Sequence, residues 1–307
     1  MPPTFPVQLN TSAAITRPLV LSIGLADPVS AFGIQADLSS FSTLHCHGVS
    51  VPTALISGDT ATIEEVVALE QSLVAPTARL LLEDLPIAAI KIGIPAALDN
   101  LEALAELISD YNHLPLVLDP FCSFLPESGS ASDDIIIGMR DLLIPQATIL
   151  LISRRELEIL AHTWRDAAAA NAHAEDQLQA DAQWLIDHGC EYVLVSGTDD
   201  AHAPAGSVGN TLFGEAGKLR HDCWPRLPGQ FLGAGACLAA AITALLAHDI
   251  PVPNAVLQAQ LYCANALAHA RRLGMGKLIP ARHLLPDSMF EPMQVIGETA
   301  EDLDATP

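Results

Sequence analysis

Positive charge is scarce in this sequence. Lys and Arg number 14 against 36 Asp and Glu, a formal net charge of −22 over 307 residues. Nucleic acid and anionic membranes require a positive footprint, so neither is expected as a partner. Phosphate is repelled at long range as well, and any phosphate site has to work locally through backbone N–H groups and helix ends. Cysteine is sparse: Cys46, Cys122, Cys190, Cys223, Cys237 and Cys263, with no C-x-x-C pair. A chain of this length does not need covalent staples, and the six thiols read as reduced and buried in a cytoplasmic protein. The longest apolar stretch, 232–247, falls short of the roughly 18 residues that suggest a membrane span. The opening MPPTFPVQLN has neither a basic region nor an apolar run, so no signal peptide is expected. The absence of G-x-x-x-x-G-K-[ST] argues against a P-loop enzyme, and the absence of G-x-G-x-x-G after the first strand argues against dinucleotide binding. His45-Cys46-His47 has no further His/Cys cluster to complete a tetrahedral set, so no metal site made of protein ligands alone is expected.

Apolar residues make up 50% of the chain, enough for one large core. Residues 1–17 read as an extended segment rich in Pro and Thr, 18–285 as one domain, and 286–307 as an acidic tail without periodicity. Short apolar runs ended by Gly or Pro read as buried strands at 18–24, 49–57, 87–94, 114–120, 147–153 and 191–197. Helical spacing appears at 34–48, 62–75, 100–111, from 155, and at 175–188, 236–248 and 253–273. NTLFG and KLRHDCWPRL suggest an edge hairpin. This alternation predicts an α/β fold with a mostly parallel sheet covered on both faces. Ligands of such sheets sit beyond the carboxyl ends of the strands, in the loops 24–33, 57–61, 93–97, 119–130, 153–156, 196–200 and 229–236.

Several of these loops carry residues suited to chemistry. Gly233-Ala234-Gly235-Ala236 directly precedes an apolar helix. Small residues there let free helix N–H groups hold an anion, or simply let the helix pack closely. Asp27 lies in the first strand-to-helix loop, where it either contacts a small substrate or caps a turn. Lys91 inside an apolar strand calls for a carboxylate partner or an escape to the surface. Asp119 and Glu156, each just past a strand, suit either a hydrated Mg²⁺ or a cap.

DP…GIQADL at 27–38, KIG at 91–93, LDP at 118–120 and GAGAC with its Ala-rich helix at 233–248 follow one another in order. In that order and spacing the chain resembles the hydroxymethylpyrimidine and phosphomethylpyrimidine kinases of thiamine synthesis, within the ribokinase-like superfamily, from about Leu19 to Pro280. The resemblance implies a central, mostly parallel sheet with helices on both faces, and a homodimer. It implies ATP and Mg²⁺ as donor and a pyrimidine alcohol or its phosphate as acceptor. It further implies an anion hole at Gly233 and Gly235, substrate contacts at Asp27, Gly58 and Ile94, Mg²⁺ near Asp119 and Glu156, and nucleotide contacts at Ser196 and Gly197.

The chain also departs from the family's pattern. With the two glycines in register, the family's catalytic cysteine position holds Ala236, which cannot accept a proton. Cys237 follows about 100° further round the helix and substitutes only if the turn is rearranged. Val29 and Phe32 make the first loop bulkier. Gly58 stands for a pyrimidine-contacting glutamine, Ile94 for a methionine, Ser153 for the asparagine that accompanies Glu156, and Ser196 for a lysine. Two readings follow. One is a kinase with slowed or altered catalysis; the other is an inactive ligand-binding regulator or sensor built on the same frame.

Overall fold

Uninterrupted apolar runs such as LVLSIGLA bury both faces of a strand, so they demand helices above and below the sheet. The computed structural model describes residues 17–120, 130–165, 174–198 and 206–286 and meets that demand. In chain order the elements are β1 (Leu19–Ala26), α1 (Gly33–Thr43), β2 (His47–Gly58), β3 (Ile63–Ala68), α2 (Gln71–Asp84), β4 (Ile87–Ile92), α3 (Leu98–Ser109), β5 (Leu116–Leu118) and α4 (Ser130–Gly138). They continue with β6 (Ile149–Ser153), α5 (Arg154–Ala161), α6 (Ala174–Asp187), β7 (Tyr192–Thr198), β8 (Ser207–Gly214), β9 (Gly217–Pro225), α7 (Ala234–Leu246) and α8 (Val252–Ala268).

One nine-stranded sheet runs β3-β2-β1-β4-β5-β6-β7-β8-β9. The six central strands are parallel, while β3 at one edge and β8 and β9 at the other are antiparallel. The core is split by the sheet. Leu21 and Ile23 of β1 pack with residues of α2, α3 and α5, whereas the intervening Val20 packs with α1, α7 and α8. Helix α7 is buried from Cys237 through Leu246, and its alanines let it lie close against the sheet. A third apolar cluster, with Leu25, Phe32, Ile56 and Ile94, sits at the carboxyl ends of the strands.

Strand order reverses at β1. The chain first moves from β1 outward to β2 and β3, then returns to lay β4 on the other side of β1. Such a reversal opens a crevice beyond the carboxyl ends of the two neighbouring strands. The edge hairpin expected from NTLFG and KLRHDCWPRL is present as β8 and β9.

Two expectations are corrected. The helix expected over 62–75 is instead the strand β3 followed by α2. Ile63, Val66 and Val67 fit helical spacing, but the β-branched run pairs antiparallel with the open edge of β2, Ala54 opposite Ala68. The helix expected to reach 273 stops at Ala268, because Arg271 bridges to Ile279. Residues 1–16 and 287–307, Cys122, and parts of the expected loops 119–130 and 196–200 lie outside the described residues. No described helix is long and apolar enough to cross a membrane.

Candidate active site

The turn before α7 is built for close approach. Gly233 has φ of +84° and a side chain there would collide with the Ala31 carbonyl, so only glycine fits. Gly235 is exposed, and a β-carbon there would meet nothing within 4 Å. The first intrahelical bond runs from the Cys237 N–H to the Gly233 carbonyl at 3.0 Å. The N–H groups of Ala234, Gly235 and Ala236 therefore have no acceptor in the helix.

Behind this turn lies Arg282, buried to 4% exposure. Its Nη2 donates to the carbonyls of Ala31 and Gly233, and Nη1 donates to the Ser30 carbonyl at 3.4 Å. The Tyr262 hydroxyl donates to the Arg282 carbonyl. The first loop and the glycine turn are thus tied together by one guanidinium.

Beyond the strand ends sits a buried charge cluster. Lys91 Nζ is 2.9 Å from Asp37 Oδ2 and 3.6 Å from Asp119 Oδ2. The Ser22 hydroxyl also donates to Asp37 Oδ2 at 2.7 Å, while Asp37 Oδ1 is buried with no partner. Burial works against the Lys91 charge, but Asp37 and Asp119 outweigh it and hold its pKa above the ordinary value. Asp119 is pushed up to about 6, chiefly by burial; Lys91 opposes this, and the negative charges of Asp37 and Glu156 add to it. Glu156 closes a capping box at the start of α5, accepting from the Ser153 N–H at 2.9 Å while the Ser153 hydroxyl accepts from the Glu156 N–H at 3.2 Å. Among the described residues no three His, Cys, Asp or Glu side chains are close enough to hold a metal by themselves.

Two cavities meet at the turn. The smaller, about 340 Å³, is lined by Phe32, Ile94, Asp119, Ala236 and Lys277, with Asp37 and Lys91 in its floor. The larger, about 630 Å³, lies between β8 and α8 and is mostly apolar, with Leu151, Trp224, Leu238 and Leu267 in its wall, and Ser196. Phe231, Ala234 and Gly235 line both.

Of the residues singled out in the sequence, Gly233, Gly235, Ala236, Ile94 and Asp119 come together at the smaller cavity, and Ser196 lies at the larger. Gly197 is left-handed at φ +72° and lines neither. Three other residues singled out in the sequence lie away from both cavities. Asp27 does not face either cavity: its carboxylate accepts from the N–H groups of Val29, Ala31 and Phe32 and shapes the first loop. Gly58 sits in the turn from β2 to β3 and is tight because a β-carbon there would lie 2.7 Å from the Thr62 carbonyl. Cys237 is fully buried against α8, beside Cys263, and does not turn into the site. Glu156 reaches the cavity only through its field on Asp119.

Asp37, Lys277, Phe231 and Arg282 are site residues that the sequence reading misses. Asp37 carries a signal, since it shares the buried face of α1 with Ile34, Ala36, Ser40 and Phe41. Arg282 carries a fainter one, a guanidinium within the apolar run LIPARHLL of a chain poor in basic residues.

Comparison with known proteins identifies the family. The family model for phosphomethylpyrimidine kinase matches residues 27–280. The hydroxymethylpyrimidine/phosphomethylpyrimidine kinase of Salmonella typhimurium is 33% identical over 269 residues, covering 86% of this chain and 96% of that protein. The corresponding Escherichia coli kinase is 31% identical over 268 residues, with the same coverage. The fold is that of the Clostridium difficile phosphomethylpyrimidine kinase structure (TM-score 0.65, 24% identity, 82% of this chain and 100% of that one). It is equally that of a Bacillus subtilis pyridoxal kinase in an ADP complex (TM-score 0.75, 20% identity, 87% and 97%). With its ribokinase-like sheet and its glycine turn at the strand-order reversal, the chain belongs to the phosphomethylpyrimidine kinase family.

Proposed function

We propose that the chain is an ATP- and Mg²⁺-dependent phosphotransferase acting on the hydroxyl, or the phosphate, of a hydroxymethylpyrimidine in thiamine biosynthesis, slowed because no proton acceptor stands at position 236. The observation that carries this reading is the wall of Phe231, Ala234 and Gly235 shared by the two cavities. An apolar chamber suited to a nucleoside and a smaller chamber floored by Asp37 and Lys91, suited to a small acceptor, meet at the free N–H groups of a helix start.

The residues present fit the donor. The larger cavity offers Leu151, Leu238, Leu267 and the Trp224 ring to a base. The Ala234, Gly235 and Ala236 amides suit phosphate oxygens. Asp37 and Asp119 outnumber Lys91 in the buried cluster, and Asp37 Oδ1 has no hydrogen-bond partner, so the cluster has negative charge to spare for a cation. Mg²⁺ brought in with the nucleotide would be held near Asp37 and Asp119. Bound there, ATP–Mg²⁺ supplies the transferable phosphoryl group and part of the charge that neutralises it. The glycine turn holds anionic oxygens, Arg282 fixes that turn against the first loop, and Phe32 and Ile94 exclude water from the acceptor chamber.

Ala236 leaves the acceptor hydroxyl without a side-chain base. A missing general base typically costs about 10²–10⁴ in rate. Phosphoryl transfer depends more on positioning and charge stabilisation, so the reaction is slowed and not abolished. The alternative of an inactive ligand-binding regulator is favoured by one observation: Ala236 faces the chamber while the adjacent thiol, Cys237, is sealed in the core.

The test is a transfer assay with ATP–Mg²⁺ and hydroxymethylpyrimidine or its phosphate at high enzyme concentration, run alongside Ala236→Cys. Slow transfer by the natural chain, raised by Ala236→Cys, supports the kinase. No transfer by either protein, with a nucleotide or pyrimidine still raising the melting temperature, overturns it in favour of the regulator.

A further inference from the structure

A polar network is set into the apolar wall of the larger cavity, and its hydrogen bonds run in one direction. Across the edge hairpin, Asn210 on β8 stands opposite Asp222 on β9, and Val208 stands opposite Trp224. Asn210, Trp224 and Gln260 of α8 all line the cavity. Gln260 is buried. Its Oε1 accepts from Asn210 Nδ2 and from Trp224 Nε1, each at 2.8 Å. Its Nε2 donates to Asp222 Oδ2 at 2.8 Å. Arg220 grips the same carboxylate, Nε to Oδ2 at 2.7 Å and Nη2 to Oδ1 at 2.8 Å. Its Nη1 donates to the Pro253 carbonyl at 3.0 Å, which ties β9 to the start of α8.

The donors and acceptors fix which way each amide faces. Burial opposes the Asp222 charge, but hydrogen bonds from Arg220 and Gln260 outweigh it and hold its pKa below the ordinary value. An ionised carboxylate only accepts, so Gln260 turns its NH2 toward Asp222. The Gln260 carbonyl then faces the indole N–H, which can only donate, and the Asn210 NH2. Asn210 Oδ1 is left with no donor among the described residues. An acceptor held in an apolar wall without a donor calls for one from a ligand.

We propose that Asn210 selects the base of the nucleotide, favouring adenine over purines that carry oxygen in place of its amino group. This rests on the reading of the larger cavity as the nucleoside chamber. Asn210 Oδ1 accepts an N–H of the adenine amino group, and an asparagine amide is a natural partner for that edge. Hypoxanthine presents a carbonyl oxygen at the same position, so two acceptors face each other. The Trp224 ring, held by its own N–H, is a fixed apolar surface beside this contact. Gln260 and Asp222 are positioning residues. A free asparagine amide could flip, offer its NH2 to the oxygen and take either base. The relay from Arg220 through Asp222 and Gln260 forbids that flip, and the selection comes from this restraint.

Calorimetric titration of the full chain with ATP and with inosine triphosphate, both with Mg²⁺ and without acceptor, tests this independently of catalysis. The natural protein is expected to bind ATP at least about tenfold more tightly than inosine triphosphate. Asn210→Leu should bring that ratio toward one, chiefly by weakening ATP. Gln260→Leu releases the Asn210 amide and should also lower the ratio. A merely structural role for Gln260 would weaken both nucleotides alike and leave the ratio where it was. Equal affinity of the natural chain for the two nucleotides overturns the proposal without recourse to any variant, and leaves the nucleoside chamber standing. An Asn210→Leu protein that keeps the full preference for ATP overturns it too. Binding of neither nucleotide overturns the chamber itself, and the proposal with it.

Discussion

At the scale of single residues, the buried charges around Lys91 set the behaviour of the site. A carboxyl displaced from 3.8 to about 6 costs about 3 kcal/mol in its ionised form. The folded state then binds more protons than the unfolded state between those values, so this group makes stability fall as pH rises from about 4 to 6. Asp119→Asn should therefore flatten the pH dependence of the melting temperature over that window, and a melting series in matched buffers checks it. A cation that neutralises Asp119 should act mainly where the group is ionised. Mg²⁺ with nucleotide is accordingly expected to raise the melting temperature more at pH 7.5 than at pH 5. Lys91→Met leaves Asp37 and Asp119 buried without their counter-ion and should cost about 3–5 kcal/mol, read by urea unfolding at neutral pH. Ala236→Cys is the opposite kind of change, expected to raise kcat with little movement in KM, because a base acts in the transition state and not in binding.

At the scale of elements, the start of α7 separates two glycines that look alike in the sequence. Gly233→Ala meets the Ala31 carbonyl in a left-handed conformation and should cost well over 1 kcal/mol while weakening phosphate binding. Gly235→Ala meets nothing and gains helix propensity, so stability should hold or rise by up to about 1 kcal/mol. Its methyl group enters the wall between the cavities, and the expected cost is a higher KM for nucleotide. Thermal melts and steady-state kinetics of the two variants distinguish these effects. The glycine turn is legible in the sequence because it is local, small residues abutting an apolar helix. The parallel strands are legible for the same reason. The edge strand β3 is not, since Ile63, Val66 and Val67 stand at helical spacing and only the open edge of β2 makes them a strand. The partner of Lys91 is likewise hidden. Asp37 lies 54 residues earlier, on a helix that strand order alone brings beneath β4. Asp27 reads equally well as a ligand or a cap, and the direction of its carboxylate is set by a loop conformation that no local pattern specifies.

At the scale of the whole molecule, the surplus of acid acts on every anion that approaches. The charge of −22 should raise the apparent KM for nucleotide at low ionic strength and lower it several-fold as salt is added toward physiological levels. Titrating KM against sodium chloride at fixed Mg²⁺ checks this. A site dominated by Lys and Arg would respond in the opposite sense. The Arg282 clamp has a consequence of another kind. The bond from its guanidinium to the Ala31 carbonyl spans 251 positions of the chain. During synthesis, the first loop leaves the ribosome long before the arginine that secures it. A nascent fragment lacking the stretch around Arg282 lacks the three hydrogen bonds that tie the loop to the glycine turn, so the proposed binding site is expected to be completed late. A polypeptide released before that point would carry most of the sheet but no fixed place for phosphate.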